Sequence, residues 1–299
     1  MKMSILSIAT AMLLSMTACS NESSVDDTPR PASSETPEPP SGKVATIYTT
    51  TGDGTQKLNK TVSAIFTGTN MAPSTILVDP SQNYQTMDGF GFAITYSTWY
   101  NLLTLSAEDR SSFLRQTYSE TEGYGVSYAR ISIGCNDFSS TEYSLCDEPG
   151  LENFRLYSDE TQYVIPVLKE ILSINPNVKI IAAPWTCPRW MKVSDIETKA
   201  AYNSWTDGHL NPDYRTTYAE YFVKFITTMK QQGINIYAVC PQNEPLNKAN
   251  CASLYMPWQE EAPFVAELAS AFKQNGLTTK IYLFDHNYNY DGVADQEDY

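Results

Sequence analysis

Four short apolar runs in this sequence each lead into a cluster of polar and aromatic residues. The clusters are Gly134-Cys135-Asn136-Asp137-Phe138-Ser139, the stretch Pro184-Trp185 through Trp190-Met191-Lys192, Pro241-Gln242-Asn243-Glu244-Pro245, and Asp285-His286-Asn287. Their carboxyl groups, Asp137, Glu244 and Asp285, are of the type that transfers protons or attacks as a nucleophile. The chain also holds 20 Tyr and 5 Trp, flat amphipathic side chains suited to stacking on sugars. Only two histidines are present, so zinc chemistry and a Ser-His-Asp triad have little to draw on, and no cofactor is expected.

These clusters need a frame. Strand-like runs at 87–95, 128–133, 178–183, 236–240 and 280–284 alternate with helical patterns at 107–118, 160–174, 213–232 and 259–275. Ser106, with Asp109 three residues on, reads as the cap of the first helix, and Gly233 and Gly276 stop the last two. The later strands are nearly continuous apolar runs, the pattern of parallel strands covered on both faces. Alternation with short gaps reads as a parallel α/β sheet or a (β/α) barrel, in which catalytic groups hang from the C-terminal ends of the strands. All four clusters occupy such ends. Gly89 and Gly91 do not open a Gly-x-Gly-x-x-Gly nucleotide fingerprint, because Ile94 stands at the last glycine position; they allow tight backbone at the first strand.

The ordered set Asp88-Gly89-Phe90-Gly91, Arg130 with Asn136-Asp137-Phe138-Ser139, Pro184-Trp185 through Trp190-Met191-Lys192, and Gln242-Asn243-Glu244-Pro245 resembles glycoside hydrolase family 30, which includes glucosylceramidases and β-1,6-glucanases. The resemblance implies a (β/α)8 TIM-type barrel with strands of a β-sandwich before it. It also implies a retaining β-glycosidase, in which two carboxyl groups about 5–5.5 Å apart act as acid/base and nucleophile. Carried over residue by residue, Glu244 is the acid/base and Asn243 donates to the sugar 2-hydroxyl. Asp137, Trp185, Trp190, Asp285 and His286 contact substrate, and Arg130 supports a carboxylate. The family nucleophile is a glutamate at the end of the seventh strand. Only residues 285–299 follow the fifth, and a βα unit needs roughly 30, so the nucleophile is expected to be missing and the barrel to stop after about five units. Such an open barrel would leave strand edges and an apolar interior uncovered. Little hydrolysis is then expected, with a non-catalytic surface glycan-binding lipoprotein or an inactive fragment of a truncated reading frame as the alternatives.

The first residues read as an address. Lys2 precedes an apolar stretch at 5–16, too short to span a bilayer, ending in Met16-Thr17-Ala18-Cys19. This is a secretory signal over 1–18 with a lipobox-like end, which makes Cys19 the acylated residue. The Pro/Ser/Glu/Thr-rich stretch 19–43 is expected to be a disordered tether. Residues 44–84 hold β-rich runs at 44–51, 61–66 and 75–78, and 85–299 form the partial barrel. The protein is thus expected to be exported and lipid-anchored to a bacterial membrane. A net charge of −14 argues against nucleic acid as a partner, leaving a β-linked glycoside or glycan. Cys135, Cys146, Cys187, Cys240 and Cys251 form an odd set; 135/146 and 240/251 could bridge, and buried thiols are an equal alternative.

Overall fold

The computed structural model describes residues 44–64, 76 and 78–287. The secretory segment, Cys19, the tether, most of the run 75–78 and residues 288–299 lie outside them. The chain divides into two compact units between Tyr84 and Gln85. Within the first, β1 (Val44–Thr49) and β2 (Asn59–Ala64) pair antiparallel, Thr49 opposite Asn59. Asp53 organises the connecting loop: it accepts hydrogen bonds from Thr51 Oγ1 (2.5 Å) and from the Thr55 amide (3.0 Å). These bonds hold its carboxyl down at about 2.

The second unit is built on a five-stranded parallel sheet. Its strands, in order, are β3 (Gly91–Ala93), β4 (Tyr128–Ser132), β5 (Lys179–Ala183), β8 (Ile236–Val239) and β9 (Lys280–Ile281). A two-stranded hairpin, β6 (Lys192–Val193) with β7 (His209–Leu210), is inserted after β5. Parallel neighbours require crossovers, and helices supply them. They are α1 (Tyr96–Thr104) and α2 (Ala107–Tyr118), then α3 (Ile165–Ile174), α4 (Arg215–Gln231) and α5 (Trp258–Gln274). Ser106 caps α2 as its spacing suggests: Oγ accepts from the Asp109 amide (3.0 Å) and donates to the Asp109 carboxylate (2.7 Å). The region read as one helix at 160–174 instead opens with a π-helical turn, Asp159–Val164, that runs into α3. Helix α1 has no strong sequence pattern. Tertiary burial of Trp99 and Leu102 holds it. No helix among the described residues is long and apolar enough to cross a membrane.

The core lies between sheet and helices. Ala129 and Ile131 of β4 and Ile180 and Ala182 of β5 are buried, as are Tyr218, Tyr221, Phe222 and Phe225 of α4. The opposite face of the sheet, which a barrel turns inward, is half-exposed and not apolar as expected. Lys179 Nζ donates to the Tyr128 hydroxyl (3.1 Å) and lies 5.0 Å from the rings of both Tyr128 and Tyr237. Lys280 Nζ donates to the Tyr237 hydroxyl (2.6 Å). Aromatic rings and long lysine stems make this layer amphipathic, so it tolerates water where leucine or isoleucine would not.

Gly91 permits the first pairing of the sheet, because a Cβ there would overlap the Tyr128 carbonyl oxygen across the β3–β4 ladder. Gly91→Ala is therefore expected to lower stability by about 1–3 kcal/mol, read as a lower urea midpoint. The same substitution at Gly233, where no atom stands in the way of a Cβ, changes only the strain of its positive φ.

Candidate active site

Strand β4 and the ends of β5, β8 and β9 each add a part to a site on a single rim of the sheet. Arg130, inside β4, projects from the inward face. Trp185 follows β5 by two residues and is buried, with Arg130 Cζ 4.8 Å from its ring centroid. Gln242, Asn243 and Glu244 follow β8. The Asn243 amide donates to the Pro184 carbonyl (2.9 Å), locking the β8 end to the β5 end. Gln242 Nε2 donates to the carbonyls of Trp185 (2.7 Å) and Asn243 (2.8 Å). Beyond β9, Asp285 pairs with Asn243 in an isolated parallel bridge, and its carbonyl accepts from the Glu244 amide (2.9 Å).

The guanidinium of Arg130 binds these ends together. Nη2 donates to Asn243 Oδ1 (2.9 Å) and to Asp285 Oδ2 (2.5 Å). Because its oxygen is engaged by Arg130, Asn243 must turn its Nδ2 donors elsewhere, the orientation that donation to a sugar hydroxyl requires. Asp285 forms an ion pair with Arg130 and thereby acts as a brace. The indole Nε1 of Trp185 and Oε1 of Gln242 are buried with no hydrogen-bond partner among the described residues. Orphaned polar atoms at a strand-end rim call for a partner, either water or a ligand.

Glu244 itself is half-buried, at φ 44°. This left-handed conformation is strained for a non-glycine residue and turns the chain sharply before Pro245. Two residues that sequence reasoning missed attend its carboxylate. Asn247 Nδ2 (2.8 Å) and Asn250 Nδ2 (2.5 Å) both donate to Oε2. Their spacing, three and six residues beyond the acid, was the available signal. Two lines hold the loop that carries them: Lys248 Nζ lies 4.0 Å from the Tyr255 ring centroid, and the Met256 amide donates to the Pro245 carbonyl.

The remaining sequence candidates sort by position. His286 stacks on Phe284 (5.8 Å, 24°) and lies within electrostatic reach of Glu244 and Asp285. Burial lowers its pKa against the pull of those two acids, and Nδ1 accepts from the Asn287 amide (2.7 Å). Asp137 is exposed on the loop after β4, beside Asn136, which is buried and bonded to Ser132 Oγ (3.1 Å). Trp190 stands apart. Its indole donates to the Cys146 carbonyl (2.8 Å) and its ring meets Tyr214 edge-on, so the structure uses it to pack the loop. All five cysteines in the described region are free thiols, Cys251 exposed and the others buried.

Behind Asp285 lies an acid that the motifs do not include. Glu261 of α5 is 2% exposed, and neither carboxyl oxygen has a hydrogen-bond partner of good geometry among the described residues. Burial pushes its pKa up to about 7; the Phe284 amide opposes the shift and Asp285 adds to it. Cys240, also next to Asp285, is pushed up as well, chiefly by burial.

The chain matches the glycosyl hydrolase family 30 TIM-barrel domain over residues 87–283. It is 32% identical over 272 residues to the endo-1,6-beta-D-glucanase BGN16.3 of Trichoderma harzianum, covering 85% of this chain and 55% of that protein. With the lysosomal acid glucosylceramidase of Mus musculus it shares 31% identity over 189 residues, 62% of this chain and 35% of the relative. Among solved structures, the endo-beta1,6-glucanase BT3312 superposes with a TM-score of 0.78 at 55% identity, covering 85% of this chain and 55% of that one. SrfJ from Salmonella typhimurium, at 24% identity and a TM-score of 0.73, shares the fold. The chain spans about half the length of the curated relatives it matches.

Two outcomes follow from this geometry. Arg130→Leu leaves Asp285 and Asn243 without their shared donor and is expected to cost about 2–4 kcal/mol, read by urea denaturation; Arg130→Lys, which keeps the charge but loses the planar fork, recovers only part. The second concerns pH. The unfolded chain releases the Glu261 proton near 4.5 and the native protein holds it to about 7. The native state therefore binds more protons in that window, and stability falls as pH rises through it, levelling off above. Glu261→Gln is expected to abolish that fall, which is on the order of 2–3 kcal/mol, in unfolding curves taken from pH 4.5 to 7.5.

Proposed function

The chain belongs to glycosyl hydrolase family 30, and on that premise we propose that it carries the acid/base side of a retaining β-glycosidase site directed at β-linked glucans. The observation that carries this reading is the Asn243-Glu244 pair at the end of β8, with Asn243 Oδ1 taken by the Arg130 donor so that its Nδ2 donors are left for another acceptor.

In this reading Glu244 gives its proton to the leaving glycosidic oxygen and later takes one from the attacking water. Asn243 Nδ2 donates to the sugar 2-hydroxyl, a bond that strengthens as the ring approaches the oxocarbenium-like transition state. Trp185 supplies an apolar wall with a buried indole N–H to spare, and Asp137 and His286 flank the sugar. The attacking carboxylate must stand about 5–5.5 Å from Glu244. By the resemblance the nucleophile is a glutamate on the seventh strand, so Asp285, an aspartate beyond the fifth, is a poor stand-in, and the nucleophile is assigned to a part of the site that these five strands do not build. The higher identity to a β-1,6-glucanase structure than to the glucosylceramidase favours a β-1,6-glucan over glucosylceramide or xylan. Export with a lipid on Cys19 would place the site where extracellular glycan is met.

Because no nucleophile is assigned among the described residues, a second reading stands beside it, a surface glycan-binding lipoprotein without chemistry, and one pair of measurements separates the two. Calorimetry of the purified chain with a β-1,6-linked gluco-oligosaccharide is expected to show binding that Trp185→Ala abolishes. Hydrolysis of an aryl β-glucoside is expected to stay at trace level. Robust turnover removed by Glu244→Gln would show the chain to be a complete enzyme, and absence of binding would remove both readings.

A further inference from the structure

The two amides on Glu244 do more than hold a loop. An Asn side-chain nitrogen can only donate, so an oxygen bonded to two of them is an acceptor twice over. Asn247 Nδ2 (2.8 Å) and Asn250 Nδ2 (2.5 Å) occupy both acceptor positions of Oε2. The orientation of Asn247 is fixed independently, because its Oδ1 accepts from the Ala249 amide (2.9 Å), which turns the nitrogen toward the acid. The backbone reinforces this: the Asn247 amide donates to the Glu244 carbonyl (2.8 Å), so the chain after Pro245 folds back over its own carboxylate.

We propose that Asn247 and Asn250 are positioning residues of the acid/base that reserve Oε2 as an acceptor and so confine the exchangeable proton of Glu244 to Oε1. The inference rests on the assignment of Glu244 as acid/base but makes a claim of its own, namely which oxygen works. A free carboxyl group presents either oxygen and rotates between them. With Oε2 pinned by two donors, χ3 is held and the O–H of Oε1 is left with one direction instead of two. Orientation of this kind is how neighbouring hydrogen bonds contribute to a proton transfer without touching substrate. The left-handed turn at Glu244 is consistent with a carboxyl placed against these donors at the cost of some backbone strain.

A spectroscopic test reads the clamp directly. In infrared difference spectra of wild type minus Glu244→Gln, taken at a pH where the acid is protonated, the carbonyl band of Glu244 reports the bonds that Oε2 accepts. The band is expected at low wavenumber in the wild type and higher in Asn247→Ala and in Asn250→Ala, with Asn250→Gln partly restoring it. A second arm uses a glucose-configured imidazole, a probe that takes a hydrogen bond from the acid in the plane of the ring. Its affinity is expected to fall about tenfold in Asn250→Ala, as the acid loses its fixed direction, and further in Glu244→Gln. An unchanged band in both alanine variants, with their folds intact by circular dichroism, overturns the proposal. If the band moves but the wild type does not bind the probe, the clamp stands and the acid/base assignment of Glu244 fails.

Discussion

One guanidinium decides whether the rim of this sheet is a site or a set of loose ends. Arg130 rises from the middle of β4 and, through a single nitrogen, reaches Asn243 beyond β8 and Asp285 beyond β9, with its flat face near the indole of Trp185 beyond β5. These contacts span 113 and 155 residues of sequence. An arginine suits this role because its planar fork can serve two acceptors and lie against an aromatic face at once. The partial exposure of the Arg130–Asp285 pair, 23% and 27%, moderates the desolvation that would make a fully buried pair costly.

Around that clamp the protein keeps an unusual amount of unsettled polarity. Trp185 Nε1, Gln242 Oε1 and Arg130 Nε lie buried without partners among the described residues, and the carboxyl of Glu261, opposed only by the Phe284 amide, is kept protonated to near neutrality by burial. Elsewhere the same protein satisfies such groups. Glu160, equally buried, accepts from the Tyr143 hydroxyl (2.7 Å) and the Tyr157 amide (2.8 Å). The contrast separates structural acids from the neighbourhood of the rim, where groups left unpaired are available to a ligand.

Much of the frame was legible from local patterns. The reciprocal cap at Ser106 and Asp109, the apolar face of α4 and the order of the five strands all follow from residues close together in the chain, where periodicity and capping chemistry act. Other features were not. Helix α1 and the β6–β7 hairpin carry weak local signals and are held by burial against distant elements. The inward face of the sheet reads as apolar in sequence, but the side chains that reach it include Tyr128, Arg130, Lys179 and Tyr237, because alternation sends most of the aliphatic residues to the helices. Trp190, expected by motif to contact sugar, has its indole N–H engaged by the Cys146 carbonyl, a partner 44 residues away that no local pattern states.

By itself the sequence determined the family, the parallel α/β frame and the residue types gathered at its strand ends, since each of these follows from motifs and from short-range pattern. Only the tertiary structure decided what those residues do to one another: that Asp285 braces Arg130, that Asn243 gives its oxygen to Arg130, and that Asn247 and Asn250 converge on one oxygen of Glu244. The physical reason is that hydrogen bonds are directional and a few ångströms long. Strand order brings the ends together, but which atom faces which partner depends on backbone turns such as the left-handed one at Glu244, and no spacing in the sequence states those.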